Sequence, residues 1–281
     1  MSKPLPAKLR AKWDTLIATE GKRLGLARCR PFLENKIVHD IFYSGFFKDR
    51  LCIVKCSSKD PDSIENEYKI LSRLHSLKPE LFPEPFCFHI TPDRDMAFIA
   101  IEKIEELSAI DSTAALNDAV NIIEALLKEN IIHRDIYRDN FFFSSNGHLC
   151  LFDFQFAVDA TDPKISKWLQ RHWKYHYVIF ARVNGQPAAT WNDVTAMRRF
   201  IQRTFPDAPG YHEADAKLAR MEASANYRAD IPLRILPLAC AYAVSLSFQY
   251  LFCRNKSRKA VIGKRRSIVH DLIKAACSAT S

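Results

Sequence analysis

Along the first third of the chain, apolar positions fall in short runs rich in β-branched and aromatic residues; from about residue 117 they recur at helical spacing. Ile37 to Phe47 (IVHDIFYSGFF) and Leu51 to Cys56 (LCIVKC) predict two strands, with Lys48-Asp49-Arg50 as the hairpin turn between them. Asp60-Pro61 predicts an N-cap and the first residue of a helix that runs to about Leu77, its apolar face built from Ile64, Tyr68, Leu71 and Leu74. Phe86 to Ile90 and Met96 to Ile104 predict two further strands about the turn Thr91-Pro92-Asp93-Arg94-Asp95. A helix is then expected from Asn117 to Glu129. Short strands follow at 140–143 and 149–152, on either side of Ser144-Ser145-Asn146-Gly147. Beyond Asp162-Pro163 the pattern predicts helices at about 164–182, 191–204, 212–225 and 235–253. Strands first and helices afterwards imply an α+β chain with segregated parts: residues 1–104, a small antiparallel sheet with one helix, and residues 105–281, mostly helical.

Chemistry-bearing residues fall at informative places on this frame. The segment Ile131 to Ala157 contains His133-Arg134-Asp135, then Asn140, then Asp153-Phe154-Gln155 at the end of an apolar strand. A hairpin sets Asn140 and Asp153 on adjacent strand ends, where two oxygen donors can converge on Mg²⁺ while Asp135, on the preceding loop, faces an acceptor hydroxyl. Upstream, Lys55 is the only charged residue of Leu51 to Cys56. Glu67, three residues after Ile64 and four before Leu71, stands on or beside the inward face of its helix. A carboxylate there needs a cation, and Lys55 is the obvious one. Each residue also has a plain structural reading: an edge-strand lysine, a surface glutamate, a turn-forming aspartate, a strand-end asparagine. Their joint order on the expected elements favours the chemical reading. Phe98 to Glu105 (FIAIEKIE) reads as a strand leading into a hinge whose backbone, near Glu102 to Ile104, would meet an adenine.

Over roughly residues 35–160 this motif set resembles the protein-kinase-like superfamily. The resemblance implies a two-lobed fold, ATP and Mg²⁺ as cofactors, Lys55 held by Glu67 against the phosphates, Asn140 and Asp153 on the metal, and Asp135 as the base for an alcohol acceptor. It also implies nucleotide contacts from Gly45, Glu102 and Ile104. The chain departs from ordinary protein kinases in four ways. It has Tyr43-Ser44-Gly45-Phe46-Phe47 in place of a glycine-rich loop, Tyr137 two residues after Asp135, Gln155 in place of glycine, and no A-P-E sequence. Those departures resemble the bacterial lipopolysaccharide core kinases, whose loop H-R-D-x-Y-x-x-H/N-F is matched by His133 to Phe141. That resemblance implies a sugar or glycolipid acceptor at the cytoplasmic face of the inner membrane. A divergent Ser/Thr protein kinase and a nucleotide-binding pseudokinase or scaffold are the alternatives; the presence of Lys55, Glu67, Asp135, Asn140 and Asp153 together weighs against the last.

Composition refines the picture. Only seven of 281 residues are glycine, about a third of the usual ~7%, and none forms a G-x-G-x-x-G or Walker A sequence. A nucleotide must therefore be held without a glycine-rich cradle. The eight cysteines show no C-x-x-C pair and read as reduced, buried groups of a cytosolic protein rather than zinc ligands. The formal charge is +9, yet Arg254 to Ser281 alone holds eight basic residues and one acid. A domain basic throughout, as nucleic-acid binding would require, is thereby disfavoured, and the basic tail 254–281 is read as a solvated end segment, a contact for an anionic membrane surface, or a site for the phosphates of an acceptor. The basic, aromatic-bearing segment 164–182 is read either as a second such contact or as a helix covering the core. The uncharged stretch Ile235 to Cys253 is interrupted by Pro237 and carries Tyr242, Ser245 and Gln249 as a polar stripe, so a buried helix is expected rather than a membrane span.

Overall fold

The structure, a computed structural model, describes residues 6–35, 40–58, 60–104, 111–162 and 193–224 and the single positions 244, 247, 248, 250, 251, 259 and 263. In chain order the elements are helix α1 (Ala7–Leu16), strands β1 (Leu26–Asn35), β2 (Asp40–Phe47) and β3 (Arg50–Ser57), helix α2 (Pro61–Leu77), strands β4 (Pro85–Ile90) and β5 (Ala97–Glu102), helix α3 (Ser112–Lys128), strands β6 (Ile131–Ile132), β7 (Phe141–Phe143), β8 (Leu149–Leu151) and β9 (Val158–Asp159), and helices α4 (Asp193–Thr204) and α5 (Tyr211–Ser224). The chain divides into two compact units: residues 1–118 with 140–157, and residues 119–139 with 158–281.

The first unit is built on an antiparallel sheet of order β1-β2-β3-β5-β4, giving the α+β, protein-kinase-like arrangement expected of the chain. Lys48 and Asp49 close the β2–β3 hairpin with φ of 47° and 67°, the left-handed pair that suits the twist of the flanking strands. Successive side chains of a strand point to opposite faces. Cys52, Val54, Cys56, Phe98 and Ala100 thus pack with Trp13 of α1 and with Ile17, while Ala97 and Ile99 meet Ile64 of α2 on the other face. Lys55, between Val54 and Cys56, is thereby aimed at the α2 side. Burial pushes the Cys52 thiol up to about 12 and the Cys87 thiol up to about 11, so both stay protonated at neutral pH and serve as packing groups.

Helix α2 spans Pro61–Leu77 as the sequence predicts, but the Asp60 side chain does not cap it; the Asp60 carbonyl accepts the Ser63 N–H (3.1 Å) and hydroxyl (2.7 Å) instead. Helix α3 begins five residues before the predicted start, because the Asp111 carboxylate accepts the N–H groups of Thr113 (2.9 Å) and Ala114 (3.1 Å). Helix α1 and strand β1 have no counterpart in the sequence reading. Among the described residues strand β1 pairs only with β2, and as an edge strand it tolerates Pro31 and two arginines. Its register slips between Ala27 and Arg30, where Arg28 has φ 52°.

Gly45, expected to approach a nucleotide, lies within β2 opposite that bulge. A Cβ added there would stand 2.7 Å from Cys29 Sγ and 3.0 Å from the Ala27 carbonyl oxygen. Gly45→Val is therefore expected to cost about 1–3 kcal/mol through overpacking. A lower urea midpoint would show this, and a midpoint equal to the native one would contradict it.

Residues 140–157 group with 1–118 for identifiable reasons. The Leu151 N–H donates to the Leu81 carbonyl at 3.0 Å, and the Asp118 carboxylate accepts the Leu149 N–H at 2.9 Å.

In the second unit β6 pairs antiparallel with β9, and α4 is tied to α5 by Arg198, which donates to Asp215 at 2.7 and 3.0 Å and to Glu222 at 2.9 Å. The helices predicted at about 191–204 and 212–225 correspond to α4 and α5. The helix predicted at 164–182 lies outside the described residues. Of the predicted helix 235–253, the described positions 244, 247, 248, 250 and 251 are helical. Burial was expected there, yet Val244, Phe248 and Leu251 are 57%, 59% and 69% exposed. Among the described residues no helix is long and apolar enough to cross a membrane.

Candidate active site

Strand β3 delivers Lys55 to α2, and the hairpin β7–β8 delivers Asp153 to the same point. The Lys55 ammonium donates to Glu67 Oε2 at 3.0 Å and to Asp153 Oδ1 at 2.7 Å. Glu67 and the Lys55 side chain are almost wholly buried, at 1% and 6% exposure, whereas Asp153 keeps 31%. The open side of the cluster is therefore the Asp153 carboxylate. Burial pushes the Glu67 carboxyl up from the usual range, and the adjacent Lys55 ammonium opposes that shift.

The loop that carries Asp153 is fastened to α2 by more than the lysine. Glu67 Oε1 accepts the Phe154 N–H at 3.1 Å, and the Asn66 side-chain amide donates to the Ala157 carbonyl at 2.8 Å. Phe154 is fully buried and meets Phe82 edge-on with ring centroids 6.0 Å apart. Asp153 itself has φ 61° and heads the 3₁₀ turn Phe154–Phe156, a left-handed conformation that costs an aspartate on the order of 1 kcal/mol. Asn140 is buried, and its backbone carbonyl accepts the Phe152 N–H at 3.2 Å, which sets residue 140 beside the strand end that leads into Asp153.

An amide side chain and a partly open carboxylate on neighbouring strand ends are hard oxygen donors. Mg²⁺ takes one or two protein ligands of this type and completes its shell with phosphate oxygens and water, so this donor set fits the ion. Among the described residues no group of three His, Cys, Asp or Glu side chains forms an all-protein metal cage.

Glu102 and Ile104 lie at the end of β5, bordering a cavity of about 470 Å³ with Arg50, Phe82, His148 and Cys150. Lys55, Glu67 and Asp153 do not line it. The Glu102 N–H donates to the Glu84 carbonyl at 2.8 Å and the Lys103 N–H to the Leu51 carbonyl at 3.1 Å. The Glu102 carboxylate is engaged by Arg50 at 3.1 Å.

The His133-Arg134-Asp135 loop lies in the second unit. All three residues are buried, and Arg134 adopts φ 72°. At 2% exposure Arg134 is an interior cation. Burial lowers its pKa to about 10, against the opposing field of Asp193 and Asp135. Arg138 is exposed.

The sequence reading missed Asp193, the first residue of α4. Its Oδ2 accepts the His133 N–H at 2.7 Å and its Oδ1 accepts the Arg134 N–H at 3.0 Å. One buried carboxylate thus fixes two successive amides of the loop. The Asp135 N–H is directed at His133 Nδ1, 3.3 Å away. An acidic residue in the first turn of a helix has an ordinary electrostatic explanation, so nothing local singles Asp193 out.

Residues 58–161 match the model of the phosphotransferase enzyme family APH, and over that segment the chain is similar to kinase-like phosphotransferases. The match contains Glu67, Asp135, Asn140 and Asp153; Lys55 precedes it. No curated protein matches the chain.

Proposed function

We propose that this protein is an ATP- and Mg²⁺-dependent phosphotransferase with an alcohol acceptor, a sugar hydroxyl of a lipopolysaccharide core or similar glycolipid. The observation that carries the phosphotransferase reading is Lys55 held between buried Glu67 and half-open Asp153. The sugar acceptor is supported by the sequence His133 to Phe141, Tyr137 and Gln155 included.

In this reading Lys55, fixed by Glu67, donates to the α- and β-phosphate oxygens. The backbone of Glu102 to Ile104 addresses the adenine edge. Asn140 and Asp153 would hold Mg²⁺, which when bound supplies neutralisation of the charge on the β- and γ-phosphate oxygens. Asp135 orients the acceptor hydroxyl and takes its proton as the acceptor oxygen bonds to the γ-phosphorus and the bond from that phosphorus to the bridging oxygen of ADP breaks. Catalysis in this scheme is positioning and charge neutralisation.

Two measurements test it. ATP with Mg²⁺, at about a hundredfold its Kd, is expected to raise Tm by roughly 5–10 °C in the native protein, and Lys55→Met is expected to remove that rise. Absence of any shift in the native protein would leave the scaffold reading in its place. ADP release with purified core oligosaccharide as acceptor is then expected to exceed that with a generic protein; the reverse result would make this a protein kinase.

A further inference from the structure

Two successive residues of α2 reach the same turn. Glu67 Oε1 accepts the N–H of Phe154, the first residue of the 3₁₀ turn, and the Asn66 amide donates at 2.8 Å to the carbonyl of Ala157, the residue that ends it. The turn is closed on itself by the Ala157 N–H, which donates to the Phe154 carbonyl at 3.0 Å. Neighbours on a helix differ in direction by about 100°. Glu67 is buried and Asn66 half-buried, so the two stand at the middle and the margin of one face and both serve the turn packed along it.

Asp153 stands immediately before this turn, in the left-handed conformation and with its carboxylate partly open. An aspartate keeps such a conformation only where its surroundings over-determine it. Glu67 ties the start of the turn and divides its oxygens between Phe154 and Lys55, while Asn66 ties the end. With the start alone tied, the turn could pivot about Phe154 and carry the Asp153 carboxylate with it; the second tie removes that freedom. We propose that Asn66 is a positioning residue for Asp153: by holding the Ala157 carbonyl it sets where that carboxylate stands for a divalent cation. The Asn66 side chain is neutral, so its effect is on the geometry of a donor and not on the charge of the site. The inference rests on the phosphotransferase reading above, in which Asn140 and Asp153 would hold Mg²⁺.

The test is the thermal shift of the full-length protein at saturating ATP, titrated with Mg²⁺ and read as the concentration that gives half of the full shift. Asn66→Ala is expected to raise that concentration about three- to tenfold, the factor that loss of one hydrogen bond supplies. Asn66→Asp keeps the size of the side chain but turns an acceptor toward the Ala157 carbonyl, and is expected to raise it at least as much. A merely structural tie would lower the melt of the ligand-free protein and leave the Mg²⁺ midpoint where it is in the native chain; that result, in both variants, overturns the proposal while the phosphotransferase reading stands. A native protein that shows no shift at any Mg²⁺ concentration overturns both. Should Asn66→Ala melt too early to titrate, Asn66→Ser, which keeps a shorter donor, gives the same comparison with a smaller expected change.

Discussion

Replacing Asp135 by Asn is expected to lower kcat by on the order of 10²–10⁴-fold, the range associated with loss of a general base. The change is nearly isosteric, and it leaves the Asp135 N–H directed toward His133 Nδ1. Asp193 remains to face Arg134, so the fold should persist. The Lys55, Glu67 and Asp153 cluster is also untouched, so the thermal shift caused by ATP and Mg²⁺ should survive. The decisive measurement is ADP release at saturating ATP, compared with that shift. Turnover close to the native rate would remove Asp135 from the role of base; loss of both turnover and shift would mean that the variant had damaged nucleotide binding instead.

The second large effect concerns Asp193. Its carboxylate accepts two buried amides and lies in the field of a buried guanidinium, so Asp193→Ala strands two donors and one cation at once. Removing one partner from a buried ionic arrangement typically costs about 3–5 kcal/mol. A urea titration should show the midpoint falling with the slope unchanged. Asp193→Asn retains one carbonyl oxygen as an acceptor and should recover part of the loss. A titration of Asp193→Ala within about 0.5 kcal/mol of the native protein would show that the two amides find other acceptors.

Much of the first unit was legible because its signals are local. Pro61 at the first helical position, the Lys48-Asp49 turn and the β-branched runs of β3 and β5 act within a few residues, and the observed α2, β3 and β5 follow them closely. The apolar spacing of α2 was also enough to bring Glu67 inward, toward the face on which β3 places Lys55. Strand β1 was not legible because an edge strand with one partner tolerates Arg28, Arg30 and Pro31, residues that interrupt any strand pattern. Helix α1 was overlooked because a charged surface helix buries little; Trp13 is its one buried residue. Asp193 illustrates a different obstacle: its partners are some sixty residues distant, and no periodicity connects them. Val244, Phe248 and Leu251 are exposed although the nineteen uncharged residues around them resemble a core helix. The sequence carries the apolarity of that segment but not which of its faces the rest of the chain covers.

Glu67 spends its two oxygens on two different parts of the chain, Oε2 on Lys55 and Oε1 on the Phe154 amide. The side chain therefore works as a spacer of specified length. Aspartate, one methylene shorter, would have to choose between the lysine and the turn. Glutamine would present the lysine or the amide with an NH₂ group where each requires an acceptor. The position is thus intolerant of the two replacements that look mildest on paper, and a rotation of α2 about its axis would release the lysine and the Asp153 turn in one movement.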